Sequence, residues 1–365
     1  MKQKNKTGII IKDIDAAIVK FPIQKKSPLG NGKYLEHVTC LIITVYTQEG
    51  LEGFGYTHGF GEEGGKLLAL IQHHIIPAAV GQDTRTVTAL LLAQSFANPQ
   101  TLANFAISAI DIACWDITAK SHHLPLIQLL EYKQPSLQVY GSGGWLGFSH
   151  DELLQECKWY YDRGVKAYKF KIGGPQDAER INLLRNSMPA DCILMVDANE
   201  KSDLTRICAI LPILQQNNII WIEEPLPRDA IDGMAMLAKQ ISIPIAAGEN
   251  LYYMDQFSNL CRKKAAYFIQ PDIGRCGGIT QFLEIAKLVQ NAGLALCSHL
   301  MMEISASVLP ACMAGKWLEH MILFPEEIFV YPFELKQGQY VSSNPAAVGT
   351  GVYFTKEALA KYKIL

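Results

Sequence analysis

The sequence predicts an α/β fold in which a TIM-like barrel follows a smaller α+β portion. Short apolar, β-branched runs recur at regular intervals from residue 137 onward, and helical patterns separate them. Strands that alternate with helices in this way imply βαβ units and a parallel sheet. No glycine-rich dinucleotide-binding loop follows the first run, which favours a barrel over an open doubly wound sheet.

Length and composition agree with a large folded protein. A chain of 365 residues is longer than one average domain and shorter than three. Hydrophobic residues make up 49% and charged residues 19%, which is enough for a sizeable core and argues against disorder. The net charge is −2 and no long basic run occurs, so we expect neither nucleic acid nor an anionic membrane as a partner.

The N-terminal stretch and the cysteines predict a cytoplasmic protein. Lys12, Asp13 and Asp15 interrupt the first apolar residues, so we expect no signal peptide. The sequence also suggests no apolar window long enough to span a membrane. The nine cysteines are scattered and form no C-x-x-C pair, which is typical of reduced thiols.

The α+β portion begins with a β-like pattern over residues 8–60. Within it, residues 38–60 predict a hairpin that turns near Gln48-Glu49-Gly50. Residues 62–121 have helical patterns, and the clearest covers residues 101–120. A predicted turn at residues 131–136 separates this portion from the barrel.

Seven barrel strands and a candidate eighth follow, and polar residues stand at their carboxyl ends. The predicted strands are 137–143, 167–173, 192–199, 219–225, 243–249, 266–272, 294–300 and 317–321. The polar residues are Lys169, Lys171, Asp197, Asn199, Glu223, Glu224, Glu249, Asp272, His299 and Glu319. In a TIM barrel the carboxyl ends of the strands meet at one face, so we expect these side chains to share one cavity.

Three of these carboxylates predict a metal site. Asp197 alone could cap the next helix, and Glu223-Glu224 could be a strand end in solvent. Carboxylates at the ends of three consecutive strands repel each other, and a divalent cation relieves that repulsion best. An all-oxygen ligand set favours Mg²⁺ or Mn²⁺ over zinc. We therefore predict Asp197, Glu223 and Glu249 as ligands, with Glu224 in a supporting role.

The remaining residues suit acid–base chemistry. Asp272 and His299 end neighbouring strands, so the carboxylate can hydrogen-bond to the imidazole, fix its tautomer and raise its basicity. Lys169 and Lys171 are two residues apart and share one face of a strand. Their mutual repulsion and a nearby metal predict a lowered lysine pKa and a neutral amine that can act as a base.

Taken together, these motifs resemble a known family over essentially the whole chain. The lysine pair and the segments VDAN, WIEEP, GEN, QPDIGRCGG, SHLMMEIS and WLEH occur in the order and spacing of the mandelate racemase subgroup of the enolase superfamily. The resemblance implies a capping domain over residues 1–130 and a (β/α)₇β barrel over 131–325. It also implies a C-terminal segment, 326–365, that returns to the capping domain.

The resemblance also implies roles for the site residues. Asp197, Glu223 and Glu249 would bind Mg²⁺, which holds the substrate carboxylate. Lys171 would be one acid–base group supported by Lys169, and His299, oriented by Asp272, would act from the opposite face. Glu319 would share a proton with a carboxylate oxygen of the intermediate. Muconate-cycloisomerase-like members place a second lysine where this chain has Asp272, which disfavours cycloisomerase chemistry.

The predicted reaction is removal of the proton α to a carboxylate of a small molecule, followed by loss of water from a sugar acid. A racemase or epimerase of a 2-hydroxy acid is the main alternative, and a Schiff-base aldolase using Lys171 is a remote one. We also expect a homo-oligomer. Loops at 21–34 and 55–61 are predicted to set specificity. The predicted substrate-binding residues are Asn199, Tyr56, His58, Lys26 and Trp145.

Overall fold

The chain begins with a three-stranded antiparallel sheet in the order β1-β2-β3. The computed structural model describes residues 8–29, 33–94, 100–131 and 137–365. The strands are β1 (Ile11–Pro28), β2 (Tyr34–Thr47) and β3 (Glu52–His58). The predicted hairpin is confirmed, since β2 and β3 flank a turn in which Gly50 has a φ of +81°. The tip of the predicted loop, 30–32, and residues 132–136 of the predicted turn lie outside the described residues.

Helices cover this sheet. They are α1 (Gly64–Leu70), α2 (Ile76–Ala79), α3 (Val87–Leu92), α4 (Gln100–Ser121) and α5 (Leu126–Leu129), with a π turn at Ile71–Ile75. Helix α4 packs directly on β3 because Gly53 and Gly55 have no side chain there. A Cβ atom at Gly55 would lie 2.0 Å from the carbonyl oxygen of Ala109, so any larger residue would push the helix away.

Helix α4 corrects one sequence-based expectation. Its stretch Thr101–Ser121 is long and apolar enough to cross a membrane, with a mean hydropathy of 1.3, so the expectation that no such window exists was wrong. In the folded protein, 89% of that window is buried. Burial inside the protein explains the hydropathy of α4, as is common for core helices.

A closed parallel barrel forms the second part of the molecule. Its strands are β4 (Gln138–Gly143), β5 (Ala167–Lys171), β6 (Ile193–Asp197), β7 (Ile219–Glu223), β8 (Ile245–Ala247), β9 (Phe268–Ile269), β10 (Ala295–Cys297) and β11 (Gly315–Met321). Their order around the barrel is β10-β11-β4-β5-β6-β7-β8-β9. All eight predicted strands are confirmed.

Seven helices alternate with these strands in the described residues, which gives the (β/α)₇β arrangement. They are α6 (His150–Asp162), α7 (Asp177–Ser187), α8 (Leu204–Gln216), α9 (Ile231–Gln240), α10 (Met254–Arg262), α11 (Gly278–Asn291) and α12 (Met302–Val308). Local sequence explains where α6 begins. Ser149 and Glu152 form a capping box, in which the Ser149 hydroxyl accepts from Glu152 N and Glu152 accepts from Ser149 N.

The barrel interior is apolar at one end and charged at the other. Rings of Tyr140 and Trp221 fill the apolar end with centroids 5.1 Å apart, and small residues such as Ala167 lie between them. Two positions further along β5 and β7, the same inward faces carry Lys169 and Glu223. Because side chains alternate along a strand, the apolar floor and the charged mouth follow from one pattern.

The C-terminal segment packs on the first strand. It contains β12 (Phe333–Lys336), β13 (Gln339–Ser342) and α13 (Lys356–Tyr362). Ile18 N donates to the carbonyl oxygen of Leu365 at 3.0 Å, and the rings of Phe21 and Phe354 lie 4.8 Å apart. Residues from both ends of the sequence therefore share one layer of the core.

His320 lies on the outer face of β11 and gives the fold a pH-dependent stability. Burial lowers its pKa from 6.5 to about 3. The folded state keeps the imidazole neutral, whereas the unfolded chain binds a proton below pH 6.5. Stability therefore falls as the pH drops from about 6.5, and the loss levels off near pH 3.

His320→Phe is expected to remove this loss, which amounts to about 2 kcal/mol between pH 8 and pH 5. Urea unfolding of the wild type and the variant at both pH values measures the difference. His73→Phe is the control, because His73 is exposed on the helical segment and should leave the pH dependence unchanged. An equal loss in His320→Phe and the wild type would contradict the assignment.

Candidate active site

Eight predicted ionisable side chains converge at the carboxyl end of the barrel. They are Lys169, Lys171, Asp197, Glu223, Glu249, Asp272, His299 and Glu319. None is more than 9% exposed. Charges withdrawn from water to this degree need partners, and the partners they have define what the site can do.

Three carboxylates form a cluster that fits a divalent cation. Asp197, Glu223 and Glu249 each offer an oxygen within 4.8 Å of the other two. The first two are fully buried and Glu249 is 8% exposed. Burial, Asp197 and Glu249 raise the pKa of Glu223 although Lys169 opposes them. Three hard oxygen donors that repel each other are the set that Mg²⁺ prefers, so the donors present match this ion.

The two lysines are interleaved with these carboxylates. Lys169 Nζ lies 2.5 Å from Glu223 Oε1 and 2.9 Å from Glu319 Oε1. Lys171 Nζ lies 2.5 Å from Asp197 Oδ2. The lysine pair on β5 is thus tolerated because carboxylates from three other strands face it.

The pKa values of the two lysines reflect the carboxylates that surround them. Burial lowers the pKa of Lys171, but Asp197 and Glu249 outweigh it and raise the pKa above its ordinary value. For Lys169, burial is outweighed by Glu223 and Glu319, and its pKa is also raised. The predicted lowering by the neighbouring ammonium is thus outweighed by carboxylates from strands further round the barrel, whereas the predicted effect of a bound metal stays a prediction.

His299 and Asp272 form the predicted pair. His299 Nδ1 lies 2.8 Å from Asp272 Oδ2, and its Nε2 lies 3.2 Å from Glu249 Oε2. Gly274 N donates to Asp272 Oδ1 at 2.7 Å. Burial raises the pKa of Asp272, but Arg275 and His299 outweigh it and lower the pKa below its ordinary value. Asp272 is therefore an ionised acceptor that holds Nδ1–H and turns Nε2 towards the cavity.

Glu319 is held as a carboxylate. Leu300 N donates to Glu319 Oε2 at 2.7 Å, and Lys169 contacts the other oxygen. Burial raises the pKa of Glu319, but Lys169 and His299 outweigh it and lower the pKa well below its ordinary value. In this state Glu319 is an acceptor, so the proton sharing that the resemblance implies needs a donor from the substrate.

A cavity of about 440 Å³ opens above this cluster, between the barrel and β2. Lys171, Glu249 and His299 line its floor. Three predicted substrate-binding residues, Asn199, His58 and Trp145, also line it. Burial lowers the pKa of His58 to about 4, and the Trp145 ring centroid lies 5.8 Å from Lys171 Nζ.

Two predicted substrate-binding residues lie elsewhere, and those predictions are corrected. Tyr56 is fully buried in the core, where its hydroxyl donates to Glu303 Oε2 at 2.8 Å. Lys26 extends into solvent and pairs with Glu36 at 2.5 Å across β1 and β2. Both residues were predicted to lie in loops, but Tyr56 belongs to β3 and Lys26 to β1. A buried acceptor holds Tyr56, and a residue of the neighbouring strand holds Lys26.

Two residues for which no role was predicted contact the residues of the carboxylate cluster. Gln270 Nε2 donates to Glu223 Oε2 at 2.8 Å. Arg275 lines the cavity, and its Nη1 donates to the main-chain oxygen of Glu249 at 2.9 Å. Both stand in the motif QPDIGRCGG, and their place beside Asp272 was the available signal.

The loops after the strands turn sharply through strained backbone. Asn199, Glu224 and Leu300 have φ values of 46°, 42° and 40° although none is glycine. Such conformations cost of order 1–3 kcal/mol each and persist where surrounding contacts hold them. Here Asp197 Oδ1 accepts from Asn199 N at 2.7 Å, and Glu224 Oε1 accepts from Asn250 at 2.9 Å. The strain lies beside the three-carboxylate cluster, and such strain is typical of functional sites.

Comparison with known proteins identifies the family. Residues 18–131 match the mandelate racemase/muconate lactonizing enzyme N-terminal domain, and residues 152–358 match the enolase C-terminal domain-like family. The chain is 33% identical over 328 residues to the L-talarate/galactarate dehydratase of Salmonella typhimurium, covering 88% of this chain and 82% of that protein.

Comparison with solved structures supports the same family. The Salmonella typhimurium LT2 dehydratase, liganded with Mg and L-lyxarohydroxamate, has a TM-score of 0.88 and 30% identity over 100% of this chain and 96% of that one. An enolase from Bradyrhizobium, complexed with magnesium and mandelic acid, has a TM-score of 0.88 and 26% identity over 98% and 99% of the two chains. The chain is thus an enzyme of the mandelate racemase subgroup of the enolase superfamily.

Proposed function

We propose that this protein is a Mg²⁺-dependent dehydratase that converts a sugar acid into a 2-keto-3-deoxy acid. The observation that supports it most is the shared cavity, where Lys171 and His299 both lie beside the three-carboxylate cluster. Similarity to a dehydratase of talarate and galactarate supports the same reaction. Asp197, Glu223 and Glu249 would hold Mg²⁺, which when bound neutralises the substrate carboxylate and lowers the energy of the enediolate.

The chain's own residues move the protons. One of Lys171 and His299 takes the proton from the carbon next to the carboxylate, and the C–H electron pair enters the enediolate. The other protonates the hydroxyl on the next carbon, which leaves as water when its C–O bond breaks. The enol that remains tautomerises to the keto acid. Asp272 keeps Nδ1 of His299 protonated, and Lys169 offsets negative charge on the oxygen atoms.

A racemase is a second candidate, because one side of the cavity is apolar. In the barrel order, β11 lies opposite β7, so the loops after β11 and β4 face the metal-binding side across the mouth. Trp145, Met321 and Leu323 line the cavity there, and Leu35 and Val38 of β2 continue the apolar surface. A 2-hydroxy acid with an apolar substituent fits this surface. Without a leaving group, reprotonation on the opposite face would invert its centre.

The test is incubation with Mg²⁺ in D₂O and a panel of sugar acids and 2-hydroxy acids. We expect keto acid from at least one sugar acid, and we expect the apolar side to favour substrates with a deoxy terminus over dicarboxylic sugar acids. Deuterium uptake with inversion and no keto acid would replace the dehydratase by the racemase. Activity that survives chelator, with substrate trapped by borohydride, would instead support a Schiff-base aldolase.

A further inference from the structure

A second cavity lies outside the barrel, beside β11, and the proposed reaction does not use it. Its volume is about 370 Å³. The end of α6, the start of α12, the end of β11 and the β12–β13 hairpin surround it. Met321 lines both this cavity and the one at the barrel mouth. The two cavities therefore meet at Met321, at the end of β11.

A buried carboxylate lines the second cavity. Glu303 is only 1% exposed. Tyr56 donates to its Oε2 at 2.8 Å and Tyr340 donates to its Oε1 at 3.0 Å. The two tyrosines fix the orientation of the carboxylate. Each carboxylate oxygen can accept a further hydrogen bond, so Glu303 can still receive a donor from a ligand.

A buried imidazole with one unpaired nitrogen completes the polar part of the cavity. His320 is 7% exposed and lines the cavity. The Tyr160 hydroxyl donates its one hydrogen to the main-chain oxygen of His320 at 3.0 Å. The same hydroxyl lies 3.2 Å from Nδ1, so it accepts from Nδ1–H. Nε2 is then an acceptor, and it has no protein partner among the described residues.

The walls are aromatic and the rim is mainly acidic. The rings of Phe333 and Tyr340 stack with centroids 5.3 Å apart. Trp159 also lines the cavity, and the Arg163 guanidinium lies 4.0 Å from its ring. This contact demonstrates that the wall accepts a cation over an aromatic face. Besides Glu303, two more glutamates, at 326 and 334, line the cavity, against the single arginine.

We propose that this second cavity binds a small organic ammonium compound. The N–H groups of the ligand donate to Glu303 and His320, and its carbon chain packs against the aromatic rings. An anionic ligand would face three carboxylates and one guanidinium. A neutral alcohol has one hydrogen to donate and cannot serve both buried acceptors. A primary ammonium group has three hydrogens and a positive charge, which match both acceptors and the acidic lining.

Isothermal titration of the full chain with n-pentylamine, at saturating Mg²⁺, tests the proposal. n-Pentanol and pentanoate are the neutral and anionic probes of matched length. We expect the amine to bind at least about tenfold more tightly than either, since a charge-assisted hydrogen bond is the stronger kind. No binding of the amine, or equal binding of amine and alcohol, would overturn the proposal.

Three variants locate the bound amine. Glu303→Gln is expected to weaken binding about tenfold or more, with a thermal melt to check that it folds. Arg163→Gln, at the exposed rim, is expected to tighten binding because it removes a like charge, and it does not disturb the buried groups. Glu249→Gln tests the barrel mouth and should leave amine affinity unchanged. Loss of binding in Glu249→Gln with retention in Glu303→Gln would assign the amine to the barrel and refute the second site.

Discussion

Glu249→Gln is expected to abolish the Mg²⁺-dependent reaction, with a loss on the order of 10³-fold in kcat/KM. Glutamine keeps the size of the side chain and removes one of three negative charges that approach within 4.8 Å. The loop should stay in place, because Arg275 Nη1 donates to the main-chain oxygen of Glu249 at 2.9 Å, a contact that the substitution keeps. Steady-state kinetics and titration calorimetry with Mg²⁺ measure the two effects separately.

Glu62→Gln is the matched control for this prediction. Glu62 lines the same cavity from the capping side, but its side chain is 91% exposed and lies outside the carboxylate cluster. The Mg²⁺ affinity of the Glu62→Gln variant is expected to stay within about twofold of the wild type. Full Mg²⁺ binding and activity in Glu249→Gln would show that the ligand assignment is wrong.

Lys171→Met and His299→Asn are each expected to lower kcat by about 10²- to 10⁴-fold, the usual contribution of a positioned acid–base group. Both side chains line the floor of the cavity, where the proposed reaction needs one group at the α carbon and the other at the hydroxyl on the next carbon. Exchange of the α hydrogen in D₂O separates their roles. A variant that no longer exchanges the α hydrogen has lost the base that removes it. A variant that still exchanges the α hydrogen but forms no product has lost the residue that acts in the second step.

Lys166→Met is the control for the lysine variant. Lys166 stands just before β5 and is exposed, with its Nζ 3.4 Å from Asp191. Its removal is expected to change kcat by no more than about twofold. If Lys171→Met and His299→Asn both turned over at wild-type rates, the two-base mechanism would have to be abandoned.

The barrel and the charged side chains at its mouth were predictable from two simple features of the sequence. These are the alternation of side chains along each strand and the parallel pairing of successive strands. Alternation along β5 places Lys169 and Lys171 on one face, and parallel pairing places Lys171 beside Asp197 and Asp197 beside Glu223. Neither inference requires knowledge of distant contacts. The order of strand ends in the sequence is therefore already the order of side chains around the mouth.

Features that depend on distant segments were not predictable in the same way. Tyr56 lies away from the cavity because its hydroxyl donates a hydrogen bond to Glu303, which is 247 positions away in the sequence. The raised pKa of Lys169 reflects the balance of Glu223 and Glu319 against burial, and no local window contains all of these. In the second cavity, His320 is likewise held by a hydrogen bond to Tyr160, which is 160 positions away in the sequence. Such contacts follow from packing, which residue spacing alone does not specify.

The pairing of the C-terminal segment with β1 has a kinetic consequence. Strand β1 hydrogen-bonds to β2 on one edge, and its other edge is covered by Val19 pairing with Lys363 and by Ile18 bonding to Ile364 and Leu365. During synthesis the part of this edge at Ile18 and Val19 cannot be covered before residues 363–365 have been made. An open edge can pair with other chains, and contacts of such long sequence separation form slowly. Aggregation during expression should therefore depend on the residues that close β1, although they lie far from the catalytic groups.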